Sequence, residues 1–134
     1  MDSIYPDMRR PEIQVAYYLE ELGLHWIYKS PVFLQDERKR TRILTPSFYL
    51  PKLGMYIEVC GWEKDYNVDY RYEIYRKNGV PVIFVHFYKE RENWKRKRWK
   101  HFIVKRIQEI EAKRHEEIVK MTKAFSVSLD ELTT

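Results

Sequence analysis

The chain has 134 residues, 44% of them hydrophobic and 34% charged, with a net charge of +5. That is enough for one packed core and too little for two, and it is a globular composition rather than a disordered or membrane-embedded one. No apolar run approaches the roughly 18 residues of a membrane span, and Met1 to Pro11 lacks a signal-peptide hydrophobic region, so a cytoplasmic protein is expected. The single cysteine, Cys60, excludes an internal disulfide and a paired-cysteine zinc site.

Pro11-Glu12 suits the opening of a helix, because proline fits the first helical position and an acid there faces the positive end of the dipole. Val15, Ala16, Leu19 and Leu22 recur at helical spacing and Gly23 is a natural stop, which predicts a helix over about 11–22. The aromatic and β-branched stretch "LHWIYKSPVFLQ" reads as a strand that bends at its proline or lies at an edge. After the charged turn "DERKRTR", the segments "ILTPSFYL" and "MYIEVC" alternate at period two around "PKLG", the pattern of a β-hairpin. A second helix is predicted over about 63–77, ended by Asn78-Gly79. "VPVIFVHF" then reads as a strand buried on both faces and parallel to the one before the helix. From Lys89 to about Ala124 the chain carries neither Pro nor Gly, which predicts one long helix. The order αβββαβα implies an α/β layered fold with a mixed sheet of about four strands. It divides into a core over 1–88 and a basic helix with its tail over 89–134, packed on the core or projecting from it.

The stretch "TPSFYLPKLGMYIEVCGW" brings this order to a known outline. It resembles the PD-(D/E)XK nuclease superfamily, in particular small resolvase-like and transposition-associated endonucleases. Their pattern runs from a helix with a Glu, through "PDF" on one strand and "hydrophobic-Glu-x-Lys-Gly" on the next, to a helix and a buried strand. The resemblance covers Glu12 to about Phe87. Glu12, Pro46, Phe48, Glu58 and Gly61 match, whereas Ser47 stands where the family has its metal-bridging Asp and Cys60 where it has Lys. What the resemblance implies is a catalytic group of Glu12, Ser47, Glu58 and Cys60, with Glu12 and Glu58 as metal ligands and Mg²⁺ as cofactor if the site is active. Some members supply the Lys from a neighbouring helix, which points to Lys64; Asp65 and Asp69 are candidates for a displaced carboxylate.

The hairpin register can be read independently. A loop of Pro51 to Gly54 pairs Leu50 with Met55 and sets Ser47 opposite Glu58, at about 4.5–5.5 Å between Cβ atoms. Alternation then puts Tyr56, Glu58 and Cys60 on one face and Ile57 and Val59 on the other. A serine hydroxyl replaces an anionic Mg²⁺ ligand poorly, and a thiol supplies no ammonium beside an attacking water. Alternative readings of the same residues are plain: Glu12 as a dipole partner, Glu58 as a salt-bridged structural acid, Cys60 as a packed side chain. Histidines 25, 86, 101 and 115 lack metal-ligand spacing. Tyr66, Tyr70, Tyr72 and Tyr75 on the second helix read either as packing or as stacking platforms.

The charge is uneven. Residues 1–88 hold 12 Lys and Arg against 12 Asp and Glu, while residues 89–120 hold 12 against 6. A basic segment of that kind is the footprint of a polyanion partner. On the long helix, Trp99, Phe102, Ile103, Ile107 and Ile110 form a stripe to bury, and Lys97, Arg98, His101 and Lys105 project opposite to it. Phosphate contacts are expected from Lys97, Arg98 and Lys105, and from Arg38, Lys39, Arg40 and Arg42 at the charged turn. The expected function is therefore nucleic-acid binding, of DNA rather than RNA, on a nuclease-like scaffold with impaired catalysis. Two alternatives stand beside it: a metal-dependent endonuclease using Lys64, and an interaction module whose long helix pairs with another protein, a homodimer included.

Overall fold

The computed structural model describes residues 7–60, 67–86 and 96–133, with side chains described up to residue 127 and, in the last segment, from residue 98. In chain order the elements are α1 (Arg10–Glu21), β1 (Ile27–Tyr28), β2 (Val32–Gln35), β3 (Thr41–Leu44), β4 (Phe48–Leu50), β5 (Met55–Cys60), α2 (Val68–Lys77), β6 (Val82–His86) and α3 (Arg96–Thr133). A mixed four-stranded sheet runs β1-β4-β5-β6, with β5 and β6 parallel, and β2 and β3 form a separate two-stranded ribbon.

The layers follow from alternation along β5. Met55, Ile57 and Val59 face α1 and α3, in a core with Val15, Ala16, Leu19, Phe48, Ile83, Val85, Trp99 and Ile103. On the opposite face, Tyr56 joins a second cluster in which Leu34 of the ribbon and Ile74 and Tyr75 of α2 pack with Val82 and Phe84 of β6. The predicted stripe of α3 is the buried one: Trp99 and Ile103 lie in the core, with Phe102, Ile107 and Ile110 against it.

Two expected strands are each broken in two. The stretch after α1 gives β1 and β2 instead of one bent strand, and they belong to different sheets. Lys29 takes a left-handed backbone (φ 53°) and Pro31 lacks an amide donor, so no ladder runs through them. Likewise the expected strand "ILTPSFYL" yields β3 and β4, interrupted around Pro46 for the same want of a donor. The described residues thus hold the expected mixed sheet of four strands, and beside it a two-stranded ribbon that was not expected. Residues 63–66, predicted to open the second helix, and residues 89–95, predicted to open the long one, lie outside the described residues.

Turn chemistry holds the joints. Gly54 closes the β4–β5 turn at φ 63° and Gly79 follows α2 at φ 68°, conformations that side-chain-bearing residues rarely adopt. Asn78 ties α2 to the ribbon: its side chain accepts from the Gln35 amide at 3.1 Å and donates to the Gln35 carbonyl at 3.0 Å. No described helix is long and apolar enough to cross a membrane.

Candidate functional site

The β4–β5 register pairs Phe48 with Ile57, Tyr49 with Tyr56 and Leu50 with Met55. β4 starts only at Phe48, so the far end of β5 lacks a β4 ladder partner. There the Val59 amide donates to the Ser47 hydroxyl at 3.1 Å, and the Lys29 amide donates to the Ser47 carbonyl at 2.9 Å. Ser47 therefore does a ladder residue's work with its side chain. Where the sheet opens in this way, a cleft of about 310 Å³ forms, lined by Asp7, Arg9, Glu12, Lys29, Thr45, Ser47, Glu58, Val59 and Arg71.

Glu12, Ser47 and Glu58 are brought together, and both carboxylates are buried. Each is matched by a cation. Glu12 accepts from the Arg9 amide at 3.0 Å, from Arg9 Nε at 3.2 Å and from the Tyr28 hydroxyl at 2.9 Å. Arg9 also donates to the Val59 carbonyl at 2.8 Å, which fastens the start of α1 to the end of β5. Glu58 accepts from Arg71 Nε at 2.7 Å and from the Tyr75 hydroxyl at 3.3 Å. Burial, then the neighbouring carboxylate, pushes both phenols above the usual tyrosine range, so Tyr28 and Tyr75 stay protonated as donors. At the mouth Lys29 meets Asp7 at 3.0 Å, with both side chains about half exposed.

All three residues of this site are engaged by the protein's own donors. The two carboxylates that the resemblance implies as metal ligands already receive guanidinium and phenol donors, and the Ser47 oxygen receives an amide. Among the described residues no group of three or more His, Cys, Asp and Glu is placed to hold a metal. Cys60 is buried and is not among the residues lining the cleft. Lys64 lies outside the described residues.

The basic candidates divide. Arg40 and Arg42 are not free at the ribbon tip, because their Nε atoms donate to buried Asp36 at 3.2 and 3.0 Å. Arg38 and Lys39 are exposed at the same turn. On α3, Arg98, His101 and Lys105 are exposed, while the Lys97 side chain lies outside the described residues.

Arg9, Lys29 and Arg71, the cations of the cleft, are among the residues that sequence reasoning missed. One signal existed for Arg71: it precedes Tyr75 by four residues on α2, so whichever face of that helix meets the sheet carries both. Arg9 and Lys29 gave none, since their places depend on how α1 and β1 dock onto β5. No family model, no curated protein and no solved structure matches this chain.

Proposed function

We propose that the chain is a nucleic-acid-binding protein, on a scaffold like that of the PD-(D/E)XK nucleases, whose cleft is not a metal-dependent cleavage site. The observation that carries the binding reading is the ridge of Arg98, His101 and Lys105. It lies on the side of α3 away from buried Trp99 and Ile103, exposed and without an ion pair among the described residues. An unneutralised basic ridge on a rigid helix is what phosphate contacts require. The loss of cleavage rests on the cleft, where arginines stand against both carboxylates and Ser47 offers a neutral oxygen already in use.

The test is one set of reactions with labelled duplex DNA and RNA, across a salt series, with and without Mg²⁺ and Mn²⁺. Binding that weakens steeply with salt, without metal-dependent cleavage, is the expected result. Robust metal-dependent cleavage would reinstate the endonuclease reading, and its loss in Lys64→Ala would assign the ammonium to that residue. A second reading is favoured by Ile118, Met121 and Phe125, which are exposed on α3: absence of any nucleic-acid binding at low salt would make the helix a protein-interaction element.

A further inference from the structure

We infer that the β2–β3 ribbon enters a groove of duplex nucleic acid and reads it through Phe33, Ile43, Gln35 and Thr41. This rests on the nucleic-acid reading above and deepens it by naming the duplex as substrate and the ribbon as its reader.

The ribbon has two unlike faces. Leu34, with Val32 and Leu44, packs towards α2, and Asn78 fixes the ribbon backbone at Gln35. The outer face carries the cross-strand pairs Phe33–Ile43 and Gln35–Thr41, and Phe33 and Ile43 are 68% and 60% exposed. Two large apolar side chains displayed together on a short ribbon are costly in water and mark a contact surface. The adjoining turn says what kind. Asp36 is buried and accepts the backbone amides of Arg38 and Arg40, both at 2.9 Å. Its other oxygen holds Arg40 and Arg42. The turn is thus a fixed platform from which Arg38 and Lys39 project, with Glu37 the opposing exposed acid. The cationic tip beside the apolar pair suits a duplex groove, which offers phosphates at its rims and base edges at its floor.

The dimensions agree. Four-residue strands span about 13 Å, and a two-stranded ribbon fits a major groove about 12 Å wide. The side-chain chemistry agrees as well: apolar groups contact the thymine methyl, and Gln reads the N6 and N7 edge of adenine. The placement joins the ribbon to the cleft, because Lys29, Thr45 and Ser47, which flank the two ribbon roots, line it. A duplex on the ribbon therefore brings its backbone across the cleft mouth, beside Lys29.

The experiment measures affinity and salt slope for a pool of random-sequence duplexes and for the separated strands, with selection of the preferred duplexes. Three proteins are compared: wild type, Phe33→Ala with Ile43→Ala, and Arg38→Ala with Lys39→Ala. All four side chains are exposed, so the fold is retained, and circular dichroism checks it. The apolar pair is expected to lose about tenfold in duplex affinity and to flatten the selected sequence preference, with the salt slope unchanged. The basic pair is expected to lower the slope by up to about two. Should wild type bind duplex while the apolar variant matches it in affinity and preference, the ribbon inference falls and the nucleic-acid reading stands. Failure of wild type to bind any nucleic acid at low salt overturns both. If the apolar variant instead abolishes self-association in sedimentation and leaves duplex binding intact, the outer face is a protein surface.

Discussion

Glu58 sits on an interior strand with its carboxylate held between Arg71 and Tyr75. A buried charge tolerates the loss of its partner far less well than the loss of the whole pair. Arg71→Met is therefore expected to cost about 3 kcal/mol in urea denaturation, and the double variant Glu58→Met with Arg71→Met to recover part of that loss. A single variant no less stable than wild type would mean that Glu58 finds water or another donor. Asp36 makes a different residue-scale prediction. Its carboxyl is held down at about 2, chiefly by the Arg40 amide and further by Arg42 and the Arg38 amide, against burial that pushes the other way. A folded-state value below the ordinary 3.8 means the stabilisation is complete above about pH 4 and is lost as pH falls towards 2. Asp36→Asn is expected to lower the urea midpoint at neutral pH and to flatten its decline over that acid window. An unchanged acid limb would remove Asp36 as its source.

At the scale of elements, glycine joints separate backbone cost from packing cost. A Cβ added at Gly79 meets nothing within 4 Å, so Gly79→Ala has only its left-handed backbone to strain against. The expected loss is about 1 kcal/mol, read from thermal or chemical melts, and a neutral substitution would mean that α2 can end in another way. The hairpin register was legible because two constraints acted together: period-two alternation fixed the faces, and a four-residue connection ending in glycine fixed which residue opposes which. The division into two sheets was not legible. Alternation says that β2 and β3 are half-buried strands, but it does not say what covers them. That depends on the α2 surface and on Asn78, which lies 43 residues from its partner Gln35 along the chain. The cleft divides in the same way. Ser47 and Glu58 share the cleft, as the hairpin implied, but the expected ladder pair does not form, because β4 begins only at Phe48 and the Ser47 hydroxyl takes the Val59 amide instead. Arg9 reaches the Val59 carbonyl across 50 residues of sequence, a contact that only docking of α1 can make.

At the scale of the whole molecule, α3 carries two surfaces with opposite requirements. Replacing Arg98 and Lys105 with Ala is expected to leave the melting temperature unchanged and, under the proposed function, to reduce the salt slope of duplex binding by up to about two. The apolar stripe gives the sharper contrast, because it continues past the body of the protein. Trp99, Ile103, Ile107 and Ile110 lie against the core, and at the same helical phase follow Ile118, Met121 and Phe125, which are 59%, 71% and 64% exposed. Arg114 stands at the transition, donating to the carbonyls of Leu53 and Gly54 in the β4–β5 turn. Burial, and not the sequence pattern, decides what each position is worth. Ile103→Ala empties a fully buried site and is expected to cost about 3 kcal/mol. Replacing Ile118, Met121 and Phe125 together with Ser removes more apolar surface, yet for a dilute monomer it is expected to shift stability by less than about 1 kcal/mol. Melts at low and high protein concentration separate the cases. A triple variant destabilised only at high concentration shows a second copy covering the stripe, and one destabilised equally at both shows this end of α3 folding back on its own chain.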